Sequence, residues 1–145
     1  MYLPLIRRVD VFGRANPYKG IRMNTLNHLN LSTSDIAGLA DFFIQIFGFR
    51  VVDARGAGSF VVMTSEGGFV LTLMKDKNLQ EEPYPAGFHV GFLQPNRGAV
   101  QHLHARIQAI NLPVSSPGLM RGSTFGFYVQ APGGVLVEVS CRARC

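Results

Sequence analysis

Three residues could together hold a metal ion. His28 and His89 offer imidazole nitrogens and Glu138 a carboxylate, a mixed set that suits Fe(II), Mn(II), Ni(II), Co(II) or Zn(II). Each stands alone among apolar neighbours in a run that reads as a β-strand: Leu26–Ser32 (LNHLNLS), Gly87–Leu93 (GFHVGFL) and Val135–Cys141 (VLVEVSC). Strand side chains alternate between faces. His28 therefore shares a face with Leu26 and Asn30, opposite Leu29 and Leu31. His89 goes with Gly87 and Gly91, opposite Phe88, Val90 and Phe92. Glu138 goes with Leu136 and Ser140, opposite Val135, Val137 and Val139. The bulky rows should cover helices, leaving the three polar residues on an open, concave side. Asn30 and Ser140 are placed to support the ligands or touch a substrate. The plain alternative is a metal-free pocket in which the trio forms ordinary hydrogen bonds.

The elements that must position these residues read as two similar halves. After the first strand, Ser34 or Asp35 can cap a helix, with Ile36, Leu39, Phe43, Ile46 and Phe47 on its apolar face and Gly48 as its left-handed C-terminal cap. Short strands follow at Arg50–Ala54, Ser59–Thr64 and Phe69–Met74, punctuated by glycines. A charged, Pro-rich loop, Lys75–Pro85, leads to the second half. There a strand with His89 precedes a helix running to about Asn111, with Val100, Leu103, Ile107 and Ile110 inward and Pro113 ending it. Three strands are expected near Val114–Ser115, at Phe125–Gln130 and at Val135–Cys141, the last two joined by the turn Ala131-Pro132-Gly133-Gly134. The order is βαβββ twice, with His28 and His89 in equivalent places, which points to internal duplication.

The chain has 145 residues, 47% hydrophobic and with a net charge of +5, consistent with one domain that buries a core. Residues 1–22 differ from the rest. They mix turn formers with Arg7, Arg8, Arg14, Lys19 and Arg22 against Asp10, and so hold most of the net charge. They read as an N-terminal extension, as a segment ahead of a natural start at Met23, or as a strand at Tyr2–Ile6. A domain then spans 23–143, with modules at about 24–80 and 86–143. Basic residues scattered over such a segment do not make a nucleic-acid surface. No apolar run is long enough for a membrane span, and no secretory h-region opens the chain. Cys141 and Cys145 are too few for a disulfide framework or a zinc quartet. A cytoplasmic protein is expected.

The combination resembles the vicinal oxygen chelate superfamily, which includes glyoxalase I, bleomycin-resistance proteins, fosfomycin-resistance proteins and extradiol dioxygenases. The resemblance covers about residues 24–143. It rests on the NHLNL opening, the helix ending IFGFRVV, the GFHVGF strand and FYVQAPGGVLVEV, where Tyr128, Pro132, Gly134 and Glu138 match an aromatic–x–x–x–Pro–x–Gly–x–x–x–Glu pattern. It implies an α+β fold in which two βαβββ modules form a curved mixed sheet with helices outside. It also implies that His28, His89 and Glu138 are metal ligands, with open positions filled by two neighbouring substrate oxygens. The metal would act as a Lewis acid or hold both substrate and dioxygen. A homodimer is implied, with the ligands drawn from one chain or from two.

Departures narrow the choice. The strand Phe69–Met74 lacks the carboxylate that glyoxalase I uses as a fourth ligand and proton carrier, so that activity is disfavoured. No His lies between His28 and His89, so the acid–base His of extradiol dioxygenases is missing. Tyr128, ten residues before Glu138, matches a Tyr of extradiol dioxygenases and of fosfomycin-resistance proteins; it is a catalytic candidate or a packed aromatic at the pocket rim. Arg121 and Ser123 are the sole candidates near 119–124 for the anion-binding cluster of fosfomycin-resistance proteins; Arg121 is an anion clamp or simply solvated. His102 and His104 sit on the second helix and are not expected to bind metal. Met63, Met74 and Met120 line a pocket or fill the core. The leading expectation is a metal-dependent dioxygenase or lyase acting on a small molecule with adjacent oxygens. A metal-free protein that sequesters a ligand, as in bleomycin resistance, is the alternative, and an interaction module is a third possibility.

Overall fold

Apolar alternation builds two successive βαβββ units in the computed structural model of the chain, which describes residues 25–79, 84–120 and 122–142. The expectations for residues 1–22 and for Arg121 lie outside the described residues. The first unit contains β1 (His28–Thr33), α1 (Ile36–Phe47), β2 (Arg50–Arg55), β3 (Phe60–Thr64) and β4 (Val70–Lys75). The second contains β5 (Val90–Leu93), α2 (Arg97–Ala109), β6 (Gly118–Met120), β7 (Thr124–Gln130) and β8 (Leu136–Arg142). Their strand orders match, β1-β4-β3-β2 and β5-β8-β7-β6, each with one parallel outer pair and antiparallel pairs elsewhere. The fold is α+β, as expected. Within one chain the modules close two separate four-stranded sheets rather than one continuous ladder.

The expected inward rows form the core. Leu31, Met63, Leu71 and Leu73 of the first sheet and Phe127, Val129, Val137 and Val139 of the second are buried. They pack with Leu39, Phe43 and Ile46 of α1 and Val100, Leu103 and Ile107 of α2. Side chains three and four apart on a helix share one face, which is how each helix presents a single apolar stripe to the sheets. Asp35 caps α1 by accepting from the Gly38 N–H at 2.9 Å, and Gly48 ends the helix at φ +70°. That left-handed conformation is costly for a residue with a Cβ.

Two features fix faces and junctions. A bulge in β2 shifts the register from Val51↔Met63 to Asp53↔Val62. Val52 is the extra residue, and the shift turns Asp53 and Arg55 onto the face of Val62 and Phe60, away from the buried Val61 and Met63. The β7–β8 turn reaches back to the first module. Thr33 Oγ1 donates to the Gly133 carbonyl at 3.2 Å and accepts from the Asp35 N–H at 3.1 Å. A Cβ at Gly133 would lie 1.8 Å from Thr33 Oγ1.

Most strand boundaries move by one or two residues from the sequence reading, and two regions of the second module depart further. Val114 forms only an isolated bridge to Val129, and the strand expected there lies at Gly118–Met120. This edge strand is short and leaves Leu119 77% exposed, so it carries no buried alternation to read. β5 begins at Val90, placing His89 immediately ahead of the ladder. Among the described residues, no helix is long and apolar enough to cross a membrane.

Candidate metal centre

His89 and Glu138 face each other, with Nε2 3.2 Å from Oε2. The other ring nitrogen explains the orientation. His89 Nδ1 lies 2.8 Å from the Gly87 carbonyl, which can only accept, so Nδ1 carries the proton of this bond. Gly87 itself has φ +85°, a backbone state suited to glycine. With Nδ1 protonated, a neutral His89 turns an Nε2 lone pair toward a carboxylate oxygen. Two acceptors so placed are bridged by a cation or by a proton shared between them.

Glu138 is held from both sides. Tyr128 OH donates to Oε2 at 2.8 Å and Ser140 Oγ donates to Oε1 at 2.6 Å. The register accounts for both contacts. Tyr128 is the direct partner of Glu138 across the β7–β8 ladder, and Ser140 is two residues on, on the same face. Accepting the bond from Tyr128 makes Glu138 hold the phenol in its protonated form, which raises the Tyr128 pKa above the usual 10; partial burial and the carboxylate's charge push the same way. The His89 and Tyr128 rings meet edge to face at 5.5 Å. Over Glu138 and Tyr128 opens a cavity of about 710 Å³, lined also by Gly126, Gly118, Leu119 and Met120. Gly126 is required here, because a Cβ would sit 2.2 Å from the Val139 carbonyl oxygen.

His28 stands elsewhere. It lies on β1 of the first sheet, with Nδ1 2.7 Å from Asn27 Oδ1. Among the described residues of one chain, no three His, Cys, Asp or Glu side chains form a group that could hold a metal ion. Within a chain, His89 and Glu138 come together and His28 lies apart from them. Asn30 shares the His28 face of β1, opposite Thr72, and makes no contact with the His89–Glu138 pair. Of the substrate-binding candidates among the described residues, Ser140 joins the cluster. His104 is engaged elsewhere, with Nε2 3.0 Å from the Ser115 carbonyl oxygen. Met63 is wholly buried as core filler, whereas Met120 lines the cavity.

The sequence reading missed Tyr84. Its hydroxyl accepts from the Ser32 N–H at 2.7 Å and donates to the Ser32 carbonyl at 2.8 Å, while its ring stacks on Phe88 at 4.5 Å. It thereby ties the open edge of β1 to the residue preceding His89. A lone Tyr in a Pro-rich loop carries no periodic signal that would have revealed this role.

The donor chemistry fits a divalent metal: an imidazole fixed by a backbone carbonyl and a carboxylate fixed by two hydroxyls are the outer contacts that orient metal ligands. Comparison with known proteins gives the family and the fold. Residues 25–139 match the family described as Glyoxalase/Bleomycin resistance protein/Dioxygenase superfamily. The solved structure of a possible glyoxalase from Bacillus cereus is 37% identical, covering 81% of this chain and 98% of that one, with a TM-score of 0.70. A lactoylglutathione lyase from Agrobacterium tumefaciens (20% identity, 82% and 94% coverage, TM-score 0.63) shares the fold. So does a genomically encoded fosfomycin resistance protein from Listeria monocytogenes (17%, 83% and 94%, TM-score 0.66). No curated protein matches the sequence.

Proposed function

This chain belongs to the glyoxalase/bleomycin resistance/dioxygenase superfamily, and from that premise we propose that it is a metal-dependent enzyme acting on a small molecule with two neighbouring oxygens, by dioxygenase-like or lyase-like chemistry. The ligands in this reading are His28, His89 and Glu138. The observation that carries it is the His89–Glu138 pair, two donors 3.2 Å apart that are each held by an outer partner. When bound, a divalent ion would supply Lewis-acid stabilisation of charge developing on substrate oxygen, or a site shared by substrate and dioxygen.

The separation of His28 from that pair bears on assembly. In this reading the protein is a homodimer, and His28 reaches the His89–Glu138 pair of a second copy, giving two equivalent sites related by the dimer axis. The residues then divide the work. Gly87 and Ser140 orient the ligands. Tyr128 keeps its proton beside Glu138 and is placed to give it to a substrate oxygen in the cavity. Gly118 leaves that cavity open, and Gly126 lets β7 lie close against β8 beneath it.

Metal analysis of protein purified without an affinity tag tests the proposal. The expected result is about one divalent metal per chain in the wild type and none in His89→Ala. Metal-free wild-type protein that still takes up apolar compounds would favour the second reading, a ligand-sequestering protein like those of bleomycin resistance. The specific observation on that side is a large aromatic cavity next to His89.

A further inference from the structure

Six of the eleven phenylalanines, Phe43, Phe47, Phe49, Phe69, Phe88 and Phe92, line a cavity of about 750 Å³ between the two modules, on the side of the sheets that faces the helices. Ser65, His89 and Gln94 are the polar side chains of its described lining. Apolar surface gathered on this scale is stabilised by whatever apolar group covers it.

Position and composition both point to the chain itself. Leu26 lines the cavity and is 76% exposed, and the described residues begin at Thr25. Residues 1–24 therefore join the fold at the cavity's mouth. Fully extended, the stretch Arg7–Asn24 spans up to roughly 60 Å, so reach sets no limit on where Tyr2–Ile6 can lie. Tyr2-Leu3-Pro4-Leu5-Ile6 has four large apolar side chains and no charge, and Arg7-Arg8 follows at once. Pro4 fixes its own φ, biases Leu3 toward an extended backbone and carries no N–H that burial would have to satisfy. The two arginines mark where burial of such a segment would stop.

The cavity is also flanked by strand edges. β1 and β5 are the outer strands of their sheets, each paired on one side only among the described residues, and both reach the cavity through Leu29, Val90 and Phe92. An extended segment can pair its backbone with such an edge and turn alternate side chains into the cavity. Tethering favours the chain's own segment over a free competitor, because it raises the local concentration to about the millimolar range.

We infer that Tyr2–Ile6 docks in the inter-module cavity of its own chain, covering the phenylalanines with Leu3, Leu5 and Ile6 and leaving Arg7 and Arg8 at the rim. The inference is independent of the metal reading.

The chain contains no Trp, so one introduced indole is a clean reporter in the full-length protein. Leu5→Trp should emit to the blue of Arg14→Trp and resist acrylamide quenching. Adding Leu26→Asp and Phe88→Asp, at the exposed part of the lining, should return its emission and quenching to those of Arg14→Trp while circular dichroism stays unchanged. In a second measurement, the apolar dye anilinonaphthalene sulfonate should bind Leu5→Asp/Ile6→Asp about tenfold or more tighter than the wild type, because the tethered competitor is lost. Equal quenching of Leu5→Trp and Arg14→Trp would overturn the inference. So would a buried reporter that ignores the lining substitutions, which would put the segment elsewhere, or a blue shift lost on dilution to monomer, which would make a second copy the source. Dye binding by the wild type as tight as by Leu5→Asp/Ile6→Asp would overturn it too, leaving the cavity to a free ligand.

Discussion

His28 and His89 hold equivalent places in two copies of one scaffold, yet their surroundings differ at each register position. Around His89 the second module sets Glu138, Tyr128, Ser140 and Gly126. The matching positions of the first module are Thr72, Val62, Met74 and Phe60. The second module thus holds a carboxylate with two hydroxyl donors and an open floor, where the first holds a hydroxyl, three apolar side chains and no second ligand. In the proposed reading, duplication supplied two frames for a metal site, and one frame carries most of the donors. The first module's contribution is reduced to a single exposed imidazole, which suits a residue offered to another copy better than one completing a site at home.

The largest effect should follow from exchanging the key residues of this comparison. Glu138→Gln should remove metal and lower activity by more than about 100-fold, the scale that changes to outer contacts alone bring. Thr72→Val at the matching position should leave metal content unaltered; parallel metal analysis and turnover measurements check both. A similar loss in Thr72→Val would mean that the first module carries chemistry of its own.

The turns before β4 and β8 sharpen the contrast in stability. Gly68 and Gly133 both have positive φ, but Cβ space is free at Gly68, whereas at Gly133 it collides with Thr33 Oγ1. Gly68→Ala should cost about 1 kcal/mol from backbone strain. Gly133→Ala should cost about 3 kcal/mol, because strain adds to a steric clash at the inter-module junction. Chemical denaturation of the two variants tests the difference, and equal losses would deny the junction its role.

Ser140→Ala removes one of the two hydroxyls on Glu138 and should weaken metal affinity by about 10- to 100-fold. Met74→Ala at the matching place should change metal affinity by less than about threefold, read by competition with a chelator. The smallest effect concerns pH. The Tyr128 pKa is raised in the folded state, chiefly by its bond to Glu138. The stability this brings is present below pH 10, the ordinary value, and is lost as pH rises through the raised folded value. The alkaline fall in melting temperature above pH 10 should be shallower in Tyr128→Phe than in the wild type. Identical profiles would remove Glu138 as the cause.

Much of this was legible in the sequence, for physical reasons that can be named. Alternation over Leu29–Leu31 and Val135–Val139 marked the buried faces because burial on one side of a strand enforces a period of two. The apolar stripe and Gly48 located α1. The Glu138–Ser140 contact followed from side chains two apart sharing a face. Tyr128 and Glu138 could be paired because a turn at Ala131–Gly134 folds β7 onto β8. Other features left no such mark. The β2 bulge is a register shift, not a composition. Tyr84 reaches 52 residues along the chain to Ser32. Above all, two strands with the same local pattern, each carrying its histidine, do not say whether their own sheets or those of two copies face one another.

Metal binding by mixed variants tests the central claim most directly. His28→Ala and Glu138→Ala are each expected to fold, to dimerise and to bind no metal. Refolded together, they form mixed dimers in which one site regains His28 from one copy and His89 with Glu138 from the other. The predicted metal content is about a quarter of the wild-type value, since half the dimers are mixed and each has one whole site of two. A refolded mixture that contains mixed dimers and still binds no metal would contradict the account.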